Sequence, residues 1–574
     1  LKFGYLESFM KELYQRIKSF SGKNYGNYRQ LANKKLDFGD FTLEFLHIQG
    51  DPYAPPSKIL LSAPLNSLGW NHDYISNITR QIAFSDYLHR ELAAAVQNRY
   101  PEKNAPLTLS MPGQEILIRN SLWCDNGNIS LILQVALPGE KRLIDSEKAQ
   151  EILSSALPDI LTSALYASQE KIKEAKSAIE NLEIREELLC ELERHHLIAF
   201  IPNGAILPRE SGISEKPLAN AIPFVSPKEL CVELDCFGKK IIGMGIPKGI
   251  TVITGGAYHG KSTLLNALEK AVYPHIAHDG REWIVVSKDA VRIRTEEGRS
   301  VRHSDISLLV HDLPHGKETK DFSTLHASGS TSEAANLLEM LEFGARTFLI
   351  DEDSSAVNFL IRDSRVRHLV GNEKEPLVPL IDQIQNFSKS DCNFILVAGA
   401  CGDYLEIADT VLLLTEYQVE NVTEKAKSFS QTNAPEFSST ENEKVQEFLQ
   451  RPSRNFKTYS EELRPALKPH SAVERQIKVK LQGTRLQMGF LQAELSGISQ
   501  LPDNACSLGA GILLLNMLQN AEEIPSKEML LKKLEKIERI GFRNIPQGMV
   551  REMALPRFLE IAAILLRLRD YNRP

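Results

Sequence analysis

The spacing of hydrophobic positions changes along the chain, and each change marks a different kind of predicted element. Apolar residues alternate with polar ones in three segments near the N-terminus, which predicts strands at 41–50, 115–123 and 129–137. A helical period then runs from 143 to 193 and is interrupted only softly at Pro158. Residues 1–227 are therefore expected to form an N-terminal α/β domain.

The second half of the chain divides into three parts. Residues 228–423 repeat a strand, loop and helix pattern that is typical of a parallel α/β core. Residues 424–470 are polar and poor in aliphatic side chains, which predicts a linker with room for one helix. Residues 471–574 open with alternation at 475–482 and close with two helical segments, so we expect a smaller α+β domain there.

Composition describes an ordinary globular protein of 574 residues, of which 42% are hydrophobic and 25% charged. The longest apolar run, near 510–518, is too short to span a bilayer, so no membrane partner is expected. The number of cysteines is odd and no two form a CxxC pair, which favours a reducing, cytoplasmic location. These cysteines are Cys124, Cys190, Cys231, Cys236, Cys392, Cys401 and Cys506.

The net charge of −7 gives the whole chain no attraction to nucleic acid. From Arg464 onward, however, basic residues exceed acidic ones by six. This basic C-terminal segment is a candidate for binding a phosphate backbone, with Lys478 and Lys480 on one face of a predicted strand between Arg475 and Arg485. So modest an excess of basic residues is equally expected of a folded domain that binds no nucleic acid.

The strongest chemical signal is "GITVITGGAYHGKSTLLNALEKAV" at 249–272. A short apolar strand leads into a loop that fits GxxxxGK[ST], and a helix follows, so glycine-permitted backbone amides and the helix N-terminus converge on one point. Lys261 would reach the β- and γ-phosphates of a nucleotide, and the Ser262 hydroxyl would join Mg²⁺. Chance produces this pattern in about 2% of chains of this length.

An apolar strand ending in acid, "TFLID" at 347–351, predicts the magnesium-organising partner of that loop. Asp351 would hold Mg²⁺ through water, and Glu352 would orient and deprotonate an attacking water. A phosphotransferase fits these two motifs as well, because they specify a nucleotide and a metal but no acceptor.

Two other segments are singled out. "LHASGSTSEAANLLEML" at 325–341 is a small-residue loop running into an amphipathic helix, which indicates ordinary capping and leaves N-terminal amides for an anion. Four arginines crowd into 291–303, where nearby acids favour an ion-paired or solvated face over contact with nucleotide or a partner subunit. They are Arg292, Arg294, Arg299 and Arg302.

Taken together, these motifs resemble the ABC class of P-loop ATPases. The chain is more closely similar to the family called predicted ATPases of the ABC class, through separated segments in the same order. These segments are 36–57, 205–218, 243–265, 289–301, 323–363 and 402–411, with a weaker match at 477–489. The resemblance implies a P-loop ABC-type core that hydrolyses ATP with Mg²⁺, at composite sites of a head-to-tail homodimer.

The resemblance also implies roles for individual residues. Magnesium would lie at Ser262 and Asp351, and Glu352 would be the general base, with Lys261 as the other catalytic residue. The phosphates of ATP would lie along Gly255, Gly256, Ala257, Tyr258, His259, Gly260, Lys261, Ser262 and Thr263. The signature that contacts the partner's ATP would be Ser328, Gly329 and Ser330, and the D-loop would hold Ser355, Ala356 and Asn358.

Two family features are missing from the sequence. The switch histidine of ABC transporters should fall near Gly399, where there is none, and Asp403 is the candidate to replace part of its role. No convincing Q-loop glutamine lies between 287 and 313, although Asp305 and Ser307 fall in that region. A non-hydrolysing, ATP-switched scaffold is therefore kept as an alternative. For either activity, the expected target is nucleic acid, above all RNA or a ribonucleoprotein.

Overall fold

The computed structural model describes residues 11–570, except for 33, 103, 314–315, 364, 367–368, 370–374, 400, 430–438, 452–453, 455, 470–476, 521–526, 541 and 543–551. The chain forms two compact units. The first comprises Leu1–Glu183 and Leu534–Leu555, and the second comprises Ile184–Lys533 and Pro556–Pro574. The two units are defined by how compactly their residues pack together. The division into four segments that was proposed from the sequence stays a prediction.

The first unit is built on an antiparallel six-stranded sheet. Alternating burial along Ser57–Pro64 and Asn128–Val135 places one face of each strand in the core, and the second of these strands overlaps the one predicted at 129–137. The sheet has the order Lys35–Phe38, Phe41–His47, Ser57–Pro64, Asn128–Val135, Leu107–Thr108, and Leu122–Asp125 also pairs with Asn128–Val135.

One helical run of the first unit contains a proline and a π-helical turn. Pro158 lies in the first turn of Leu157–Leu165, within a helical run that continues from Ser146, so the chain is not interrupted at the proline. A π-helical turn, Ile152–Ala156, joins this helix to the preceding one. The helices are Lys11–Ser19, Ile78–Arg99, Ser146–Glu151 and Leu157–Leu165, and Gln169–Arg194 begins in this unit.

The second unit contains a six-stranded core sheet with five parallel strands. Its inner strands, Thr347–Asp351 and Asn393–Val397, are buried at every position, as expected for a sheet covered on both faces. The order is Ala290–Ile293, Thr347–Asp351, Asn393–Val397, Ile250–Gly255, Thr410–Thr415, Gln418–Asn421, and only the last strand is antiparallel.

Smaller sheets and helices complete the second unit. An antiparallel sheet has the order Cys231–Cys236, Lys239–Pro247, Leu197–Pro202, Val285–Val286, and two hairpins pair Arg209–Ser211 with Ser214–Pro217 and Val301–Ser304 with Phe322–Thr324. The helices around the core sheet are Lys261–Lys270, Gly329–Glu342, Val357–Leu360, Leu380–Lys389, Asp403–Ile407 and Thr423–Phe429.

The segment 424–470, expected to be a linker, contains most of helix Thr423–Phe429 and the helices Ser439–Gln450 and Phe456–Leu463. Its few large side chains do the packing: Phe456 lies edge-on to Phe343, at 5.5 Å between ring centroids, and the Tyr459 hydroxyl donates to a backbone carbonyl at 2.7 Å. A count of aliphatic residues therefore underestimated how much of this segment is buried.

The C-terminal part of the second unit combines strands and helices. The strands Val479–Gln482, Arg485–Met488, Leu491–Glu494 and Arg569–Asp570 form an antiparallel sheet, with helices Asn504–Gln519 and Phe558–Arg567 in the same unit. Helix Lys527–Ile540 lies between these two along the chain. Among the described residues, no helix is long and apolar enough to cross a membrane.

Candidate nucleotide-binding site

Three neighbouring parallel strands bring the predicted site residues to one edge of the core sheet. Strand Asn393–Val397 lies between Ile250–Gly255 and Thr347–Asp351. Val397 is paired with Ile253 on one side and with Asp351 on the other. The residues that follow these three positions therefore leave the sheet at the same level, as the ends of parallel strands do in nucleotide-binding folds.

The phosphate loop takes a shape that two of its glycines make possible. Gly255 has φ +142°, and a Cβ there would lie 2.2 Å from the carbonyl oxygen of Leu414. Gly260 has φ +99° and packs against the Tyr417 ring, which would lie 2.9 Å from an added Cβ. Both positions exclude a side chain by conformation and by space, so the GxxxxGK pattern is explained locally.

A turn after the neighbouring strand holds this loop from one side. The backbone N–H of Glu416 donates to His259 Nδ1 at 2.8 Å, and that of Tyr417 donates to the His259 carbonyl oxygen at 3.3 Å. Tyr258 has φ +64° and its side chain is 96% exposed. His259 is thus an anchor of the loop, a role that its variable position in the motif did not indicate.

Lys261 begins the helix Lys261–Lys270 and folds back over the loop. Its Nζ donates to the carbonyl oxygens of Gly255 at 2.7 Å and Gly256 at 2.8 Å. These hydrogen bonds hold the ammonium group at the mouth of the loop, where the phosphates of a nucleotide would replace the carbonyls as partners. Ser262 is exposed beside it, with its hydroxyl available to a cation.

Gly399 lies next to both Glu352 and Lys261. The Glu352 Oε2 accepts a hydrogen bond from the Gly399 N–H at 2.7 Å, and a Cβ on Gly399 would lie 3.8 Å from Lys261 Nζ. Gly399, where the switch histidine was expected, therefore contacts Glu352, the proposed base, through its backbone N–H. Sequence analysis missed this contact because a backbone amide carries no residue-type signal.

Asp403, suggested as a partial replacement for the histidine, is exposed at the start of helix Asp403–Ile407. That role stays a prediction. Asp305, in the region of the Q-loop, accepts hydrogen bonds from the Ser307 hydroxyl at 2.6 Å and from Arg451 Nη1 at 2.7 Å. These contacts give Asp305 and Ser307 a structural role.

Asp351 ends its strand with both carboxylate oxygens engaged. Oδ1 accepts from the backbone N–H of Asp353 at 3.3 Å, and Oδ2 lies 3.3 Å from Arg292 Nη2. The arginine cluster was expected to pair with acids close to it in sequence. Arg292 instead pairs with the magnesium candidate, because parallel pairing of its strand with Thr347–Asp351 brings the two together.

The other arginines of the cluster also find partners outside it. Arg299 pairs with Glu339 inside the unit, and Arg302 Nη1 lies 2.7 Å from Glu462 Oε2. The ion-paired interpretation is therefore confirmed for Arg292, Arg299 and Arg302, although with acids distant in sequence.

The signature and D-loop residues lie together, at a second position in the unit. Ser328 caps the helix Gly329–Glu342 by accepting from the Thr331 N–H. The Asn358 side-chain amide donates to the Ser330 hydroxyl at 3.4 Å. A Cβ on Gly329 would lie 2.7 Å from the Thr295 hydroxyl, so only glycine fits without moving that neighbour.

Glu333 connects the signature helix to the D-loop and was not predicted. Its Oε2 accepts from the Ala356 N–H at 2.7 Å, while its Oε1 has no hydrogen-bond partner among the described residues. Burial raises the pKa of this carboxyl to about 7. The Ser355 hydroxyl donates to the Asp351 carbonyl oxygen at 3.0 Å, so the D-loop is tied to the acidic strand as well.

Glu333 should therefore make stability depend on pH. The unfolded chain releases this proton near pH 4.5 whereas the folded chain keeps it until about pH 7, so its contribution is present below pH 4.5 and is lost as pH rises to 7. We expect Glu333→Gln to remove this loss. The free energy of unfolding of the variant, measured by chemical denaturation relative to wild type, should rise by about 3 kcal/mol between pH 4.5 and 8. Glu443→Gln, on an exposed helix, should run parallel to wild type, and a parallel curve for Glu333→Gln as well would contradict the assignment.

Comparison with known proteins agrees with this geometry. The sequence profile of the ABC ATPase P-loop domain matches residues 170–451, and that of the N-terminal region of ATPases of the ABC class matches 10–168. An uncharacterised protein of Methanocaldococcus jannaschii, MJ1628, is 29% identical over 259 residues, which are 43% of this chain and 56% of that protein. The chain thus spans little more than half the length of this relative.

Solved ATP-binding cassettes are also similar to part of the chain. CbiO1 of Clostridium perfringens, part of the transporter complex cbiONQ, shares 13% identity over 41% of this chain and 92% of its own, with a TM-score of 0.24. MJ1267, an ATP-binding cassette of an ABC transporter, shares 12% identity over 40% of this chain and 94% of its own, with a TM-score of 0.25. Because the two family profiles together match most of its length, the chain belongs to the family of ATPases of the ABC class.

Proposed function

We propose that this protein hydrolyses ATP in a Mg²⁺-dependent reaction. The observation that supports the proposal most is that Gly399 borders both side chains: its N–H donates to Glu352 at 2.7 Å, and a Cβ added there would lie 3.8 Å from Lys261 Nζ. The family supports ATP as the nucleotide. The phosphate loop, from Gly255 to Thr263, supplies the backbone amides and the helix N-terminus that a polyphosphate requires.

The residues at the site fit a bound magnesium ion. Ser262 and Asp351 offer a hydroxyl and a carboxylate, the hard oxygen ligands that Mg²⁺ prefers. Asp351 is the last residue of its strand, and Ser262 lies in the helix that follows a strand ending at the same edge of the sheet. When bound there, Mg²⁺ would neutralise charge on the phosphates.

In the proposed reaction, Glu352 accepts a proton from a water molecule while the water oxygen forms a bond to the γ-phosphorus. The bond from that phosphorus to the oxygen of the β-phosphate breaks, and ADP and inorganic phosphate are the products. Lys261 offsets the negative charge that builds up on the phosphate oxygens. The Gly399 N–H holds the Glu352 carboxylate in place for the proton transfer.

We further propose that two chains complete each ATP site in a head-to-tail homodimer. Among the described residues, Ser328, Gly329 and Ser330 make no hydrogen bond to the phosphate loop of their own chain. They lie exposed or half-buried at a helix N-terminus, where anions bind favourably. A second chain would bring its ATP to these amides.

Glu352→Gln tests the hydrolysis. Loss of the general base should lower ATP turnover by about 10²–10⁴-fold, while ATP binding persists and the ATP-bound dimer accumulates. The measurements are steady-state phosphate release and sedimentation with ATP. Glu420→Gln, an exposed glutamate on a strand of the same sheet, should turn over like wild type. A slow baseline that Glu352→Gln leaves unchanged would contradict hydrolysis and favour the ATP-switched scaffold.

Gly329→Ala tests the composite site. The added Cβ would crowd Thr295 and shift the signature loop, so turnover should be abolished while the isolated chain keeps its affinity for ATP, measured with a fluorescent nucleotide. Gly212→Ala is the matched control, because a Cβ there meets no atom within 4 Å. Full hydrolysis by Gly329→Ala would exclude the dimer arrangement.

The proposed target of the ATPase cycle is RNA or a ribonucleoprotein. The basic C-terminal segment supports it: Lys478 is exposed beside the strand Val479–Gln482, and Arg485 is exposed on the next strand. Arg485 also lines a cavity of about 420 Å³ in which five arginines outnumber three glutamates, Glu296, Glu297 and Glu494. Lys480, on the same strand, is half-buried, and Arg475 lies outside the described residues.

The Glu352→Gln protein, trapped with ATP and purified from cells, should carry RNA that sequencing identifies. Arg485→Glu should reduce the RNA recovered and flatten the salt dependence of binding, whereas Lys427→Glu, on an exposed helix surface elsewhere in the unit, should not. If no nucleic acid co-purifies, and if salt does not affect the binding of RNA, this target is ruled out.

A further inference from the structure

We infer that Arg292 is a positioning residue that supplies the positive charge at Asp351 before nucleotide binds, so that a divalent cation enters this site only together with ATP. The inference rests on the proposed role of Asp351 in holding Mg²⁺. Neither of the two sequence motifs contains Arg292, a positively charged side chain on the strand next to the acidic one.

The contacts place the guanidinium group directly at the carboxylate. Arg292 Nη2 lies 3.3 Å from Asp351 Oδ2, and the side chains are 8% and 10% exposed. A buried carboxylate needs a compensating charge, because desolvation is costly and is repaid only by a close partner. In the structure that partner is Arg292, which contacts Oδ2, while Oδ1 accepts from Asp353.

A second buried acid shares the same guanidinium. Glu269, in the helix that follows the phosphate loop, has its Oε2 3.8 Å from Arg292 Nη1, which is too long for a hydrogen bond. Nη1 has no hydrogen-bond partner among the described residues. The guanidinium thus lies between two carboxylates, those of Asp351 and Glu269. Glu269 therefore offers the guanidinium a second partner when a divalent cation approaches Asp351.

Arg292 also reaches the segment that leads into the D-loop. Its Nη2 donates to the Ser354 hydroxyl at 3.1 Å, and its backbone N–H donates to the Gln500 side-chain oxygen at 2.9 Å. The backbone is thus fixed by strand pairing and by Gln500, and only the side chain can respond to a charge at Asp351. A change at the metal site would be transmitted to Ser354 and the D-loop through one side chain.

The test measures metal binding without nucleotide. Millimolar Mg²⁺ should leave the melting temperature of the wild-type chain unchanged, because Arg292 already neutralises Asp351. In Arg292→Gln, Asp351 and Glu269 lose their cation, so Mg²⁺ should raise the melting temperature by about 3 °C or more. Mn²⁺ binding followed by electron paramagnetic resonance should show the same gain of affinity, about tenfold or more.

Three variants serve as controls. Arg292→Lys keeps the charge and should stay insensitive to Mg²⁺, and Arg294→Gln removes a neighbouring arginine that does not contact Asp351 and should also stay insensitive. Adding Asp351→Asn to Arg292→Gln should abolish the gain. An Arg292→Gln chain that folds and gains nothing, or a wild-type chain that binds the metal as tightly as the variant, would overturn the inference.

A second measurement tests the pairing of Arg292 with Asp351 even if Arg292→Gln fails to fold. Asp351→Asn alone removes the partner of the buried guanidinium, so the nucleotide-free melting temperature should fall by several degrees. An unchanged or higher melting temperature would contradict the pairing. Neither measurement contains ATP, so failure of the hydrolysis proposal and failure of this inference are distinguishable.

Discussion

The pairing of Val397 with both Ile253 and Asp351 aligns the residues of the proposed ATPase site. Parallel register carries the phosphate loop, the Ala398–Gly399 segment and the acidic residues out of the sheet side by side. The hydrogen bond between Gly399 and Glu352, and the closeness of Gly399 to Lys261, follow from this alignment. A slip of one residue in the central strand would turn its side chains to the opposite faces and would displace the Gly399 amide from Glu352.

The local chemistry of the site could be predicted from sequence because it depends on neighbours along the chain. The glycines of the phosphate loop, the helix that begins at Lys261 and the acid that ends an apolar strand each follow from a few consecutive residues. The resemblance to ATPases of the ABC class, confirmed by the family profiles, extended this prediction to most of the chain.

Contacts between distant segments could not be predicted in the same way. Arg292 was placed on an ion-paired face, but its partner Asp351 is set by strand order, which periodicity does not reveal. Glu333 lies on a helix whose apolar face was recognised, yet its hydrogen bond to Ala356 depends on where the D-loop passes. Only one helix was expected within 424–470, and the helix Phe456–Leu463 is anchored by aromatic side chains that a count of aliphatic residues does not include.

Each group of the proposed site is held by a partner within the chain. Arg292 holds Asp351, Lys261 is held by loop carbonyls, and Glu352 is held by Gly399, so each group proposed to act on ATP already has a partner. Binding of nucleotide then exchanges partners and does not have to order free side chains, which lowers the entropic cost of assembling the site.

The central claim is that a second copy of the chain completes each ATP site. A high-resolution structure of the Glu352→Gln protein with ATP and Mg²⁺ tests it most directly, through the identity of the groups around each γ-phosphate. The account predicts Lys261 from one protomer and the backbone amides of Ser328, Gly329 and Ser330 from the other. A γ-phosphate enclosed by one protomer alone, with both signature loops facing solvent, would contradict it.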